Sequence, residues 1–208
     1  HLVWVVSPIA IVGLGNPGLE YSGTRHNAGY WLLDEFAWQL DVTWKEKPRF
    51  HSKVAIASSS GKSLILVKSG NFMNCSGEYI KPLLDYHKCI HSETIVIHDD
   101  TAFATGQIRL SYNRGHGGHN GVKDIIRAIG SDFIRFRLGV GMKKDSRMDL
   151  ADHVLSRLTI QETRLLTEKK DFFISTLREI LDKGCAHAMN SVNQTLKEYI
   201  KLDEQTKL

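Results

Sequence analysis

A glycine-rich segment followed by a polar turn constrains the fold of this chain more than any other stretch. Residues 13–18 are GLGNPG and residues 24–27 are TRHN, after an apolar run at 9–12 that is typical of a buried strand. Apolar residues then recur at helical spacing, at Leu32, Leu33, Phe36, Ala37 and Leu40. This order predicts a strand-to-helix crossover in an open α/β sheet. Because such loops line the crevice at the carboxyl ends of the strands, we expect a functional site there.

Polar side chains also follow a second predicted strand and open a second predicted helix. The apolar strand at 94–98 ends in Asp99 and Asp100, which we expect to lie in the loop that follows it. Residues 115–121 are GHGGHNG and precede an amphipathic helical pattern. Two polar loops are therefore expected near the glycine-rich segment.

The remaining patterns fill in the sheet and its cover. Residues 53–57 and 64–67 flank a polar turn and predict an antiparallel hairpin. Ser76 is expected to cap a short helix that contains Pro82. The C-terminal third is predicted to be helical, with two apolar stripes in the core: Leu165, Leu166, Phe172, Phe173, Leu177, Ile180 and Leu181, then Met189, Val192, Leu196 and Tyr199.

Positive charge is concentrated in one part of the chain. Residues 109–147 hold nine lysines and arginines against three acidic residues, a net charge of +6 in a chain whose total is +4. The strand predicted at 133–140 places Arg135 and Arg137 on one face. A solvated surface would account for such a band, but its position beside a glycine-rich loop favours a phosphate-bearing partner. Nucleic acid is the leading candidate.

Length and composition set the remaining bounds. A chain of 208 residues with 42% hydrophobic residues is typical of one α/β domain, expected here to span residues 1–208. No apolar run approaches the roughly 20 residues that span a bilayer, and residues 2–6 are too short for a signal-peptide core, so we expect no membrane contact. Cys75, Cys89 and Cys185 are an odd set without metal-ligand spacing. They predict reduced thiols. His116 and His119 are a close histidine pair without a second cysteine or histidine pair, so we expect no metal. We also expect no cofactor.

Together these motifs resemble the bacterial-type peptidyl-tRNA hydrolase family. The resemblance rests on GLGNPGxxYxxTRHNxG at 13–29, NFMNCSG at 71–77, HDD at 98–100 and GHGGHNG at 115–121, and it covers roughly residues 9–155. Four ordered blocks are far more specific than a lone glycine motif. The resemblance implies an α/β fold, a three-layer α/β/α sandwich with a central mixed β-sheet. It also implies hydrolysis of the ester bond that joins a peptide to tRNA.

The resemblance implies catalytic roles for three residues. His26 matches the general base, and Asp99 matches the carboxylate that orients its ring and stabilises its charged form. An imidazole can take a proton from water that attacks an ester, so no side-chain nucleophile is required. Asn16 matches the amide that reads the peptide and helps to reject aminoacyl-tRNA with a free amino group.

The family also implies substrate contacts, with the acceptor end of tRNA as the partner. Asn74 and Asn120 resemble substrate-holding amides. Tyr21 and Phe72 resemble tRNA-contacting aromatic residues, and His119 is expected in the same substrate-binding group. Taken alone, Asn120 would also fit a helix cap and Phe72 a core position.

The departures from the family concern the phosphate contact. Bacterial members commonly carry two lysines in the strand before the glycine loop, and the matching positions here look like Arg109 and Ser111. Arg137 matches the family's arginine for the tRNA 5′-phosphate, and Arg109 or Arg114 is expected to replace the missing lysine. Residues 101–103 also depart from the family's acidic-apolar pattern.

Two other functions fit parts of this pattern. A noncatalytic RNA-binding member of the same fold would need only the basic band, and it would have no need of His26 and Asp99. A nucleoside or peptide hydrolase of similar architecture would not need both glycine motifs. We expect a monomer in the cytoplasm, or in mitochondria if a presequence is missing. Residues 149–155 are expected to form a short lid helix over the peptide groove.

Overall fold

The structure, a computed structural model, describes residues 6–207. Its strands are β1 (Ile9–Gly13), β2 (Lys45–Lys47), β3 (Ser52–Ser59), β4 (Lys62–Ser69), β5 (Ile95–Asp100), β6 (Ile108–Tyr112) and β7 (Ile134–Gly139). They form one sheet in the order β2-β3-β4-β1-β5-β7-β6. Strand β1 is parallel to β4 and β5, and β5 is parallel to β7. The other neighbours are antiparallel, which includes the predicted β3–β4 hairpin, so the sheet is mixed.

Helices cover both faces of the sheet. They are α1 (Ala28–Gln39), α2 (Ile80–Tyr86), α3 (Asn120–Ile129), α4 (Leu150–Leu155), α5 (Ile160–Lys183) and α6 (Cys185–Thr206). On one face α1, α5 and α6 bury side chains such as Phe36, Phe173 and Val192. On the other face α2 and α3 bury Leu83 and Val122. The predicted three-layer α/β/α sandwich is confirmed.

A close approach between backbones places the glycine motif beside β5. A Cβ at Gly29 would lie 2.3 Å from the Ile97 carbonyl oxygen, so only glycine lets α1 begin this close to the strand. The turn Arg25–Asn27 lies directly before α1. Because β1 and β5 are parallel, this turn and the end of β5 meet at the same edge of the sheet, and His26 lies beside Asp99.

Two local predictions were wrong in their boundaries. Strand β5 continues through Asp100, so Asp99 and Asp100 lie in the strand rather than in a loop, because both keep their register with β7. Helix α2 begins at Ile80, and Ser76 does not cap it. The Ser76 hydroxyl donates instead to the Met73 carbonyl at 2.6 Å, within a preceding 3-10 turn.

The apolar stripes of the last two helices are only partly buried. Phe172 is 37% exposed and Tyr199 is 63% exposed, so neither is the core residue that the spacing predicted. Helix α6 buries Ala188 and Val192 in its first half, and no described residue after Val192 is buried. Amphipathic spacing predicts such a helix, but not how much of it meets the sheet.

The expectations about membrane spans and about the N-terminal apolar residues 2–6 can be compared with the described residues only in part. No helix within residues 6–207 is both long and apolar enough to cross a membrane. The expectation for residues 2–6 lies outside the described range except at Val6. The extent of the domain stays a prediction.

Candidate active site

Two histidines share one buried carboxylate at the carboxyl end of β5. Asp99 Oδ2 lies 2.8 Å from His26 Nδ1, and Asp99 Oδ1 lies 2.8 Å from His119 Nε2. Asp99 is only 2% exposed, and the centroids of the two imidazole rings are 5.0 Å apart. The structure thus brings His26 and Asp99 together as expected, and it adds His119 to the same cluster.

Helix α3 fixes the tautomer of His119. This residue is the N-cap of the helix, and its Nδ1 accepts a hydrogen bond from the Val122 N–H at 3.2 Å. A neutral imidazole with an acceptor at Nδ1 carries its proton on Nε2. His119 Nε2 therefore donates to Asp99, and the helix cap that the sequence suggested for Asn120 belongs to His119.

The Asp99 carboxylate is ionised and accepts from both rings. Burial raises the pKa of Asp99, but attraction to His119 and His26 in their protonated forms, together with their hydrogen bonds, outweighs burial and holds that pKa well below its ordinary value. When His26 donates from Nδ1, its Nε2 is left as a lone-pair acceptor. That arrangement suits a general base acting on water.

The same cluster also has the donor types of a metal site. Among the described residues, ligand-type atoms of His26, Asp99 and His119 lie within 4.8 Å of one another. A metal would need an unprotonated nitrogen on each ring. Because Val122 donates to Nδ1 of His119, the nitrogen that faces Asp99 carries a proton. The arrangement therefore favours hydrogen bonds from both rings to Asp99 over coordination of a metal ion.

A cavity of about 520 Å³ lies over this cluster. The predicted site residues that line it are His26, Asp99, Arg114, His119, Asn120 and Arg137. Helix α4 contributes Leu150, Ala151 and Val154 to its wall, and this helix coincides with the predicted lid. The cavity thus joins the candidate base to an amide and three arginines, the third being Arg135.

Asn16 lies outside that wall and is held by two neighbouring segments. Its Oδ1 accepts from the Met73 N–H at 2.7 Å, and its backbone N–H donates to Asn27 Oδ1 at 2.8 Å. No described residue accepts from its Nδ2. Asn16 lines a second cavity of about 750 Å³ together with Gly18 and Leu19. Its amide is therefore fixed in place with its donor group unused.

Three other predicted contacts, Tyr21, Phe72 and Asn74, do not line the smaller cavity. The rings of Tyr21 and Phe72 pack edge to face with centroids 6.1 Å apart, and Phe72 is 56% exposed, so it is not a core residue. Asn74 is exposed in the 3-10 turn Met73–Cys75, which contacts α3. These aromatic and amide groups are accessible to a large substrate.

Arg137 is held by an acidic residue, a serine and an aromatic ring. Its Nε donates to Asp100 Oδ2 at 2.9 Å, and its Nη1 donates to Ser111 Oγ at 3.1 Å. The guanidinium carbons of Arg137 and Arg109 lie 4.8 Å and 5.4 Å from the centroid of the Phe103 ring. Ser111 and Phe103, where the sequence analysis expects departures from the family, therefore both contact the arginine expected to bind phosphate.

Two buried polar residues beside the cluster were not among the predicted site residues. His98 donates from Nδ1 to the Asp99 carbonyl at 2.8 Å, and burial lowers the pKa of His98 well below its ordinary value, so the ring is neutral. Arg135 is 3% exposed and donates from Nη2 to the Gly115 carbonyl at 2.9 Å, and burial lowers its pKa to about 10. The HDD motif contains His98, but nothing in the sequence signals a buried arginine.

A mixed α/β/α sandwich with a buried His–carboxylate–His cluster at its strand ends defines an α/β protein equipped for base-assisted hydrolysis. A family model described as peptidyl-tRNA hydrolase matches residues 10–200, and the chain belongs to this family. The peptidyl-tRNA hydrolase of Acinetobacter baylyi is 37% identical over 183 residues, which is 88% of this chain and 94% of that relative. The one from Fervidobacterium nodosum is 40% identical over 184 residues, with the same two shares covered.

Solved structures agree with this assignment. The crystal structure of peptidyl-tRNA hydrolase from Acinetobacter baumannii matches with a TM-score of 0.84 at 34% identity, covering 90% of this chain and 95% of that one. The resemblance seen in the sequence motifs is thereby confirmed.

Proposed function

We propose that this protein hydrolyses the ester bond between a peptide, or an N-blocked amino acid, and tRNA, and so releases tRNA for reuse in translation. The observation that carries the proposal is the buried His26–Asp99 pair, 2.8 Å apart in the wall of a cavity that also holds Arg114 and Arg137. Membership of the peptidyl-tRNA hydrolase family supports the substrate class.

In the proposed reaction, water attacks the ester carbonyl carbon while His26 Nε2 takes its proton. The bond from that carbon to the ribose oxygen of the terminal nucleotide then breaks, and His26 returns the proton to the leaving oxygen. Asp99 keeps the ring oriented and stabilises its charged form. His119 occupies the second oxygen of Asp99, so the carboxylate stays in place throughout.

In this proposal the amides and the arginines bind different parts of the substrate. Asn120 lies in the cavity wall and donates to the carbonyl oxygen as negative charge develops. Asn16 and Asn74 hold the peptide side, and Tyr21 and Phe72 contact the acceptor end of the tRNA.

The arginines take the phosphate side in the same proposal. Arg137 contacts the 5′-phosphate, and Arg109 or Arg114 supplies the second charge. A monomer of one domain, acting in the cytoplasm, is sufficient for this reaction.

The test is hydrolysis of N-acetyl-aminoacyl-tRNA by the purified protein. His26→Ala is expected to lower kcat on the order of 10² to 10⁴-fold while tRNA affinity stays within about 3-fold. His91→Ala is the matched control, because His91 also pairs with a carboxylate, Asp85, but lies outside the cavity. Near-normal turnover by His26→Ala would reject the assignment of the base. Tight tRNA binding without hydrolysis by the unmodified protein would favour the noncatalytic alternative.

A further inference from the structure

A buried arginine precedes the candidate base in the sequence. Arg25 is 7% exposed and shares its 3-10 turn with His26. Its Nη1 and Nη2 form a forked ion pair with Glu162, in which Nη2 lies 3.0 Å from Oε1. Its Nη1 also donates to the Val140 carbonyl at 2.6 Å, and its Nε donates to Ser156 Oγ at 3.1 Å. The proposed reaction uses none of these contacts.

The partners of Arg25 lie at the two ends of the segment that carries α4. We call residues 142–155 the lid segment. Val140 lies two residues before it, and Ser156 follows it directly. The backbone N–H of Arg25 also donates to the Ser156 carbonyl at 3.0 Å. His153, buried at 5% exposure, lies with Nε2 2.8 Å from the Gly141 carbonyl. We call Val140, Gly141 and Ser156, which flank the lid segment, its neck. Arg25 therefore holds both ends of the lid segment.

Glu162 fixes the other side of the pair. It is the third residue of α5, and its carboxylate accepts from the Thr159 N–H at 3.3 Å while Thr159 Oγ1 accepts from the Glu162 N–H at 3.1 Å. Thr105 donates to Glu162 Oε2 at 3.0 Å. The carboxylate is thus anchored to a 24-residue helix that packs on the sheet. Through its forked ion pair with Glu162, Arg25 holds the turn that carries His26 in a fixed position relative to this helix.

We propose that Arg25, held by Glu162, is a positioning residue that fixes the His26 turn and the neck of the lid segment as one unit. The wall that α4 contributes to the cavity then keeps a constant distance from the base. A displacement near 1 Å is enough to lower turnover by about 10²-fold in a preorganised site. A lysine would keep the charge of Arg25 but not the fork that reaches Glu162, Val140 and Ser156 at once.

The test rests on the proposed function and uses two variants of the full chain. Arg25→Lys and Glu162→Gln are each expected to lower kcat about 10-fold with KM for N-acetyl-aminoacyl-tRNA within about 3-fold. Because both variants disrupt the same forked contact between Arg25 and Glu162, the double variant is expected to lose much less activity than the product of the two single effects. Glu35→Gln is the matched control, since Glu35 pairs with Lys170 at 3.1 Å and joins α1 to α5 away from the neck.

A second readout separates positioning from general loss of structure. The lid segment contains Lys143, Lys144 and Arg147, all exposed, so trypsin reports its order directly. Arg25→Lys and Glu162→Gln are expected to be cut there several-fold faster than Glu35→Gln, at a temperature where all three remain folded.

Normal kcat in both variants, or a fall no larger than the unfolded fraction explains, would overturn the proposal. Full additivity in the double variant would do so as well. If the unmodified protein does not hydrolyse the substrate, the proposed function fails, whereas the proteolysis comparison still tests the neck.

Discussion

Arg137 Nε donates to Asp100 Oδ2 at 2.9 Å, so the arginine expected to bind a tRNA phosphate already has an anionic partner. Both side chains are mostly buried, with 12% and 14% exposure. Ser111 accepts from Nη1, and no described residue accepts from Nη2. A phosphate at this position would therefore use Nη2 and would compete with the charge of Asp100.

The first prediction concerns this phosphate contact. Arg137→Ala is expected to raise KM about 10-fold with a smaller effect on kcat, because a charge-assisted hydrogen bond to bound substrate is lost. The slope of log affinity against log salt should become shallower by roughly one unit or less. Removing the 5′-phosphate from the tRNA should mimic the variant, and the two changes should not add. Equal weakening of phosphorylated and dephosphorylated substrates would show that Arg137 does not hold this phosphate.

A second prediction follows from the opposing carboxylate. Asp100→Asn keeps a hydrogen-bond acceptor for Arg137 but removes the negative charge beside it. It is expected to lower KM for 5′-phosphorylated substrate by about 3-fold, because phosphate no longer approaches an anion. KM measured at low and moderate salt checks this. An effect of the same size on dephosphorylated tRNA would assign the change in KM to long-range electrostatic attraction of the tRNA instead.

The sequence predicts those parts of the site that depend on local hydrophobic pattern and on the direction of the strands. The β1–α1 crossover and the end of β5 are both readable in the chain, and parallel strands bring their carboxyl ends together, so His26 and Asp99 meet. Which residues form ion pairs across long stretches of sequence cannot be predicted from such patterns. Arg25 and Glu162 are 137 residues apart, and no periodicity links them. Burial of Arg135 is likewise hidden, because charged residues are expected at the surface.

The third prediction concerns the carboxylate between the two histidines. Asp99→Asn keeps the shape but removes the charge that stabilises protonated His26, so kcat is expected to fall on the order of 10²-fold. The acidic limb of the kcat/KM profile should move to lower pH, because the charged ring is less stable without its anion. The Asp99 carboxyl itself, with its pKa held well below the ordinary value, does not titrate in this limb. A profile of unchanged shape and position would show that Asp99 does not act on the base.

The fourth prediction concerns Asn16, whose amide we propose holds the peptide side. Asn16→Asp retains an oxygen for the Met73 N–H, so the local fold is expected to persist. The donor group at Nδ2 is replaced by negative charge, which attracts the α-ammonium of aminoacyl-tRNA. We expect the preference for N-acetyl-aminoacyl-tRNA over aminoacyl-tRNA to narrow by about 10-fold, measured as a ratio of kcat/KM values. The same ratio in both proteins would remove Asn16 from the discrimination.

The last prediction concerns stability in acid and does not depend on the function. The hydrogen bonds from Arg25, with smaller contributions from Thr105 and Thr159, outweigh burial and lower the pKa of Glu162 from 4.5 to about 2. Because the folded-state pKa is the lower one, the stabilisation is fully present above about pH 4.5 and is lost as pH falls toward 2. Glutamine can replace glutamate in the helix cap, so Glu162→Gln removes the charge and largely keeps the cap.

Chemical denaturation from pH 7 to pH 3 measures this contribution. The variant is expected to be less stable by roughly 1–2 kcal/mol near pH 7, a value reduced by solvent screening, and the difference should shrink steadily below pH 4.5. Glu35→Gln, at the more exposed pair that joins α1 to α5, is expected to lower the free energy of unfolding by less than about 0.5 kcal/mol throughout. A difference that stays constant down to pH 3 would mean that Glu162 stabilises the fold through packing and capping, and that the charge of its pair with Arg25 contributes nothing measurable.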